Sequence, residues 1–500
     1  MEYIVLSEIS RKQDFIFRSN KLKENIGASI IIKYITEELS NKYVTQFHGD
    51  VIYEAGGKVL YRFKELDSVK NFVREFSKEV VIEFSGIELF IIHQAFDPKV
   101  DEISTIIDEA YKKLERKKSE RKTTARQISF GLHKICHSTQ MPATYIDGGK
   151  PISSEIHKKI EFSKKHESYF SNLLPKGYKY PLEFDDLKGA EKSFIAVVYI
   201  DGNQMGKKLK LFKELHRYTG EISLEQHNEM YLHKLAEFSQ NIADAYEEAF
   251  KEMTNVLSRD QQLLQEKLKI DQAMLPIRPL IVAGDDITYV TNGEIGIETA
   301  RIFLEKLSSK HLTISDTENI PLNASAGVAI VKSHYPFSKA YKLAEELSEN
   351  GKRRILSDYK EKDFSILDWH IVYGELSGSL QQIRKQYYQL KDTEGTPFSL
   401  TMKPLYLNNK DSFRSYSNFK ESLKNISKSD VARSKLKELR EVFKEGPSRS
   451  KVFIEINQLN SLFNYLGNMQ LTNGFTTDHV CLYFDAIEMM DLFIEIKEEK

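Results

Sequence analysis

Three carboxylates in this sequence sit where an acid needs a reason. Asp285 and Asp286 are adjacent in LIVAGDDITYV, between two apolar, β-branched runs. Asp201 directly follows another apolar run, FIAVVYI. Adjacent like charges repel, and are tolerated in water or beside a neutralising cation. Carboxylate oxygens are hard ligands that suit Mg²⁺ or Mn²⁺. Two such ions ~3.5–4 Å apart clamp the attacking and leaving oxygens of an in-line phosphoryl displacement. Taken singly, Asp201 reads as a helix N-cap and Asp285 as a turn residue. The chemical reading depends on bringing the three together.

The residues around Asp201 suit a nucleoside triphosphate. Gly202 and Gly206 in IDGNQMGKK allow close backbone approach, and the segment runs into a helix whose free N–H groups bind phosphate. Lys207, and Lys352 with Arg353 farther along, are candidates to meet the β- and γ-phosphates. The nucleotide-binding set is Gly202, Asn203, Gln204, Met205, Gly206, Lys207, Gly284 and Lys352, with Ser29, Gly56 and Gly57 from the first half of the chain. The metal set is Asp201, Asp285 and Asp286, with Ile200 and Gly202 beside Asp201.

The elements that must position these groups follow from apolar periodicity. Phe194 to Ile200 reads as a fully buried strand. A long helix follows, with Tyr231, Leu235, Phe238, Ile242, Tyr246 and Phe250 on one face. Leu280–Val282 and Ile287–Val290 read as a hairpin tipped by Ala283-Gly284-Asp285-Asp286. NASAGVAIV from Asn323 is a strand, and Pro336 opens a helix expected to end at Asn350-Gly351. This order, β-α-β-β-α-β, is the ferredoxin-like unit. Its first and third strands are antiparallel neighbours, so Asp201 at the end of one should lie beside the acidic tip that starts the other.

The same order occupies the first hundred residues. Tyr3–Ile9 is strand-like, Lys21–Leu39 helical, Val51–Phe63 a hairpin around Ala55-Gly56-Gly57-Lys58, Ser68–Glu79 helical with Asp67 as N-cap, and Ile87–His93 a strand. YEAGGKVLYRF aligns with IVAGDDITYVT, placing Gly57 and Lys58 opposite Asp285 and Asp286. The alternative is chance likeness of two hairpins. A duplication implies one half with the acids and one supporting half.

Composition narrows the class. At 500 residues the chain is too long for one core, so three or four domains are expected. Lys plus Arg number 72 against 73 Asp plus Glu, giving no global pull towards nucleic acid or membrane. An aromatic content of 11% argues against disorder. Cys136 and Cys481 are the only cysteines, which excludes a disulfide framework and fits a reducing, cytoplasmic setting. No apolar run approaches the ~20 residues of a spanning helix, and no signal peptide is recognisable. His133, Cys136 and His137 invite a zinc reading, but the second ligand pair is missing and no zinc is expected.

Taken together, YIDGNQMG, AGDDI, NASAGVAIVKSHYPFSKAYKLAEEL and LDWHIVYG resemble the second palm domain of the large subunit of type III CRISPR effector complexes, and ISRKQDFIFRSNKLKENIGAS and YEAGGK resemble its first palm. The fold is also similar to GGDEF diguanylate cyclases and adenylyl cyclases. The resemblance implies an α+β chain of two ferredoxin-like, nucleotidyl cyclase-like palms with helical inter-palm and C-terminal domains. Residues 1–99 would be a first palm without catalytic acids, 100–190 a helical insertion with a zinc-module relic, 191–362 the catalytic palm, and 363–500 a helical domain. It further implies a metal-dependent nucleotidyltransferase that makes cyclic oligoadenylate from ATP as an antiviral second messenger, with Asp201, Asp285 and Asp286 catalytic. Guide RNA and effector subunits are the implied partners. A stand-alone cyclic dinucleotide synthase and a non-catalytic guide-RNA or subunit scaffold are the alternatives. Two departures matter. Ala283 replaces a common Gly, which a small residue should tolerate. The sequence has no His-Asp doublet, so DNase activity by an HD nuclease domain is not expected.

Overall fold

A computed structural model describes residues 1–121, 131–166, 168–187, 193–271, 273–360, 362–374, 378–392, 394–409 and 411–497. The expected boundary near 190 and the end of the charged helical stretch at Arg126 lie outside them.

The first unit comprises β1 (Glu2–Ser10), α1 (Lys12–Ile16), α2 (Leu22–Lys33), the hairpin β2 (Gly49–Ala55) and β3 (Lys58–Phe63), α3 (Leu66–Glu83) and β4 (Glu88–Phe96). Its sheet order is β2-β3-β1-β4. α2 runs past its expected end at Leu39: a π-helical turn over Tyr34–Leu39 leads directly into a further helix, Ser40–Gln46. Asp67 lies in the first turn of α3, whose N-cap is Glu65.

After α4 (Ile103–Ser119) and α5 (Ser154–Lys165), the pattern repeats. β5 (Phe194–Gly202) leads through α6 (Met205–Leu215) and α7 (Leu224–Arg259) to the hairpin β6 (Ile277–Ala283) and β7 (Asp286–Asn292). α8 (Gly296–Ser308), β8 (Ala324–Lys332), α9 (Phe337–Asp358) and β9 (Ile366–Ile371) follow. The central strand order is β6-β7-β5-β8, the same as in the first unit. β9 adds to β8 in parallel register, so the sheet continues beyond the expected boundary at 362. Leu405–Tyr406 completes it as a sixth strand. The chain is thus a two-palm α+β protein, with helices such as Tyr416–Lys428 and Arg433–Phe443 dominating the C-terminal part.

The apolar run of β5 is continuous because both faces of the sheet are covered. Ala196, Val198 and Ile200 join one core with Tyr246 and Phe250 of α7. Ile195, Val197 and Tyr199 join a second with Tyr341, Ala344 and Leu347 of α9. β1 divides the same way, Ile4 and Leu6 to the first core and Val5 and Ile9 to the second. Both cores therefore run through both palms. Cys136 is buried against Ile152, Ile156 and Ile160.

α9 does not stop at Asn350-Gly351 but continues to Asp358. Gly351 serves packing rather than termination. A Cβ there would overlap the Ser325 hydroxyl and lie 2.8 Å from Ile366 Cγ2. The extra turns carry Lys352 and Arg353 on a helix against the sheet.

Candidate functional site

The sheet register brings the acids together. Asp201, near the end of β5, is paired directly with Asp286, the first residue of β7, and with Ser325 of β8 on its other side. Ala283 and Asp286 close the hairpin, leaving Gly284-Asp285 as a two-residue tip. Gly284 has φ +64°, a conformation natural to glycine in the first position of a hairpin turn. The first palm closes identically through Ala55 and Lys58, with Glu8 of β1 opposite Lys58. There Gly56 and Gly57 both have positive φ, +56° and +86°. Only Gly284 has positive φ in the second tip, so an aspartate fits at 285 where the first tip needs Gly57.

Gly202 makes the close approach possible. Its N–H donates to the Asp285 carbonyl at 3.2 Å. A Cβ on it would stand 2.7 Å from the Tyr246 hydroxyl and 2.9 Å from Asp285 Cβ. Ile200 is fully buried in the core, so only its backbone belongs to the site. Asn203 is 2% exposed and structural in its contacts: its N–H donates to Asn323 O at 2.9 Å and its Nδ2 to Phe364 O at 2.9 Å. Gln204 caps α6 in the left-handed region, φ +54°. Met205 starts the helix. Gly206 and Lys207 are exposed, with nothing within 4 Å of a Cβ at Gly206. The next lysine turns inward: Lys208 donates to Asn203 O at 2.6 Å and lies 3.5 Å from Asp363.

Each of the paired acids carries an ammonium. Lys352 Nζ lies 2.5 Å from Asp201 Oδ2 and donates to Gly202 O at 3.0 Å. Lys12 Nζ, from the first palm, lies 3.3 Å from Asp286 Oδ2 and donates to Gly56 O at 3.0 Å. Among the described residues no three His, Cys, Asp or Glu side chains converge into a metal-binding group. The expected site is therefore a neighbourhood of three carboxylates, two of them engaged by lysines.

Its chemistry nevertheless fits a divalent cation. Burial, then the Asp201 charge, pushes the Asp285 carboxyl up to about 6. Burial also pushes Asp286 up, with Lys12 opposing and Asp201 adding to the rise. Asp286 Oδ1 is buried without a hydrogen-bond partner. A hard cation would satisfy that oxygen and relieve the repulsion. Without one, Asp285 weakens the fold at neutral pH. Because its pKa is raised on folding, the penalty is full above about 6, shrinks as pH falls through that value, and is gone below the ordinary 3.8. Asp285→Asn is accordingly expected to raise stability by about 2–3 kcal/mol at pH 8. The gain should close towards pH 4, as denaturant titrations in metal-free buffer at both values will read.

Two recesses adjoin the acids. One, of about 500 Å³, is lined by Tyr199, Asp201, Glu345, Glu349 and Arg353. The other, of about 320 Å³, lies between the palms and contains Lys12, Ser29, Gly56, Gly57 and Gly284. Ser29 also ties the palms together, its hydroxyl donating to Leu280 O. Sequence reasoning missed Lys12, Tyr246 and Glu345. Glu345 precedes Lys352 by two helical turns and so shares its face, a signal available from spacing alone. Its carboxyl is pushed up by burial, then by Asp286 and Asp201. For Lys12 the sequence carries no such signal.

A sequence model of the Cas10/Cmr2 second palm domain matches residues 194–361. No curated protein matches the chain. Solved structures do. A chain of the Csm1–Csm4 cassette in complex with AMPPNP is 15% identical, with 98% of this chain and 69% of that one covered and a TM-score of 0.54. The cassette in complex with cA4 gives 14% identity, 98% and 70% coverage, and a TM-score of 0.53. The Csm1–Csm4 subcomplex of the type III-A CRISPR-Csm interference complex gives 14%, 98% and 69%, and 0.52. At such identities the likeness is one of fold. Residues 194–361 match the second palm domain of Cas10/Cmr2, and the chain as a whole shares its two-palm fold with the matched chain of the Csm1–Csm4 cassette.

Proposed function

We propose that this protein is a metal-dependent nucleotidyltransferase that joins ATP into a cyclic oligoadenylate, a second messenger of type III CRISPR-type defence. The observation that carries the reading is the cross-strand pairing of Asp201 with Asp286 beside Asp285, next to two recesses between and beside the palms. Solved relatives of the fold support the substrate class, having been crystallised with AMPPNP, ATP, cA3 and cA4.

Asp201, Asp285 and Asp286 would hold two Mg²⁺ or Mn²⁺ ions, with Ile200 and Gly202 offering backbone only. Such ions would supply charge neutralisation at the phosphate and a more acidic attacking hydroxyl. The protein's part is positioning. One nucleotide lies along Gly202–Lys207 at the start of α6, with Lys352 and Arg353 on its phosphates. Gly56, Gly57 and Ser29 border the place of the second. The 3′-hydroxyl (or 2′) of one attacks the α-phosphorus of the other. A P–O bond forms, the bond to pyrophosphate breaks, and the hydroxyl proton leaves to solvent. Residues 1–99 act as the supporting palm and 191–362 as the catalytic palm, with 100–190 as the insertion between them and 363–500 as a mainly helical domain that also extends the second palm's sheet. Guide RNA and effector subunits are the partners this assigns. Among the described residues no helix is long and apolar enough to cross a membrane.

The scaffold reading has one observation in its favour, the engagement of Asp201 and Asp286 by lysines. Incubation of the pure protein with each nucleoside triphosphate and Mn²⁺, with and without candidate RNA activators, separates the two. Mass spectrometry is expected to find cyclic adenylates from ATP. No product from any nucleotide under any of these conditions would leave the scaffold reading standing.

A further inference from the structure

We propose that Lys12 is an exchangeable counter-charge lent by the first palm to the acidic tip of the second, and that its exchange from Asp286 to nucleotide phosphate couples metal binding to nucleotide binding. This rests on the reading of the acidic tip as a metal and nucleotide site.

The backbone places Lys12 deliberately. β1 ends at Ser10, and Arg11 turns the chain in the left-handed region, φ +52° and ψ +37°. Side chains other than Asn and Asp rarely adopt that region, so surrounding contacts must hold it. The Ile9 N–H donates to Gly57 O at 3.0 Å, fixing the end of β1 to the first hairpin tip. The reversal sets Lys12 where the two tips meet. A Cβ on Gly56 would be 3.5 Å from Lys12 Nζ and 3.9 Å from Ala283 O.

The charges around it explain why exchange is the natural event. The Lys12 side chain is 19% exposed and that of Asp286 15%, so the pair is screened only in part. A divalent cation taken up by the free Oδ1 of Asp286 neutralises the carboxylate and repels the ammonium held on Oδ2. Gly56 O keeps it tethered within reach of the inter-palm recess. That recess is bordered by the acids Glu37, Glu54 and Glu247 and the lysines Lys12, Lys33 and Lys58. Lys33 lies 3.5 Å from Glu37, and Lys58 3.8 Å from Glu8. Lys12 is the lysine of the recess whose partner a metal ion would claim. These acids repel an incoming polyphosphate, and the released ammonium is the charge that offsets them and pairs with it. Each ligand then helps the other by the same factor.

Mn²⁺ binding measured by the paramagnetic resonance of the free ion tests this without reference to turnover. The probe nucleotide is α,β-methylene-ATP, which binds without being joined. Wild-type protein should bind Mn²⁺ more tightly in its presence. Lys12→Met and Lys12→Gln should each bind Mn²⁺ alone about tenfold more tightly than wild type. In both, the help given by the nucleotide should largely vanish, whereas Lys12→Arg should retain most of it. Thermal melts confirm that the variants fold. Mn²⁺ affinity and nucleotide coupling equal to wild type in folded Lys12→Met and Lys12→Gln overturn the proposal alone. Undiminished Mn²⁺ binding in a protein with Asp285→Asn and Asp286→Asn overturns the site reading and this inference with it.

Discussion

Protein carrying both Asp285→Asn and Asp286→Asn is expected to fold, to melt at a higher temperature than wild type in metal-free buffer, and to lose product formation by at least about a thousandfold. The first two expectations come from repulsion. Burial and the Asp201 charge push both carboxyls towards protonation, so neutral amides remove a cost. The third follows from the register. Asp201 pairs with Asp286, and the corresponding pair in the first palm is Glu8 with Lys58 at a tip made of two glycines. Lys58 brings a positive charge where the second palm has a negative one. No equivalent acid tip exists there to take over. Asp201→Asn should behave likewise. Lys352→Ala should raise KM for the nucleotide more than it lowers kcat, because the role proposed for Lys352 is to meet phosphate rather than to hold metal. Steady-state rates with Mn²⁺ beside thermal melts check all of these expectations. A stable double variant with an undiminished rate would move the chemistry elsewhere.

A large structural effect is expected at Gly327, in the middle of β8. A Cβ there would overlap the carbonyl oxygen of Ala344, and stand 2.6 Å from the Ser348 nitrogen and 2.8 Å from Leu347 Cβ. The first two are backbone atoms of α9, which cannot step aside as a flexible side chain would. Gly327→Val should therefore force helix from sheet and cost at least about 3 kcal/mol in denaturant titrations. The damage should reach the site. α9 carries Lys352 to Asp201, and β8 pairs Ser325 with Asp201. Gly206→Ala is the contrasting substitution. A Cβ at Gly206 meets nothing within 4 Å, and it lies in the first turn of α6. Stability should hold or rise by up to about 1 kcal/mol, while nucleotide affinity falls, since the added methyl would stand where phosphate is to approach.

What could be read from the sequence follows how local the signals are. Asp201, Asp285 and Asp286 were legible because a strand ending in an acid, a tight acidic hairpin connection and a known strand order together dictate their meeting; that the tip is only Gly284-Asp285 came with the register. The face of α7 with Tyr231, Leu235, Phe238, Ile242, Tyr246 and Phe250 was legible from its period, and all six are buried. The end of α9 was misread because glycine has two uses. The usual stop signal at Asn350-Gly351 is here a contact point against Ser325 and Ile366, visible only once the sheet is assembled. The strand Ile366–Ile371 was not assigned, since a short apolar run does not announce its partner, β8. Lys12 lies 274 residues from Asp286, and the left-handed turn at Arg11 that places it has no glycine to mark it. Tyr246 reads as one more apolar face residue, and only packing shows its buried hydroxyl beside Gly202 without a partner.

Anomalous diffraction from crystals grown with Mn²⁺ and α,β-methylene-ATP locates the metal independently of any rate. Manganese peaks are expected between the carboxylates of Asp201, Asp285 and Asp286, with Lys352 on the phosphates and the α-phosphate beside the metal. Manganese and nucleotide bound away from the acidic tip, with Asp201 and Asp286 still on Lys352 and Lys12, would contradict that placement.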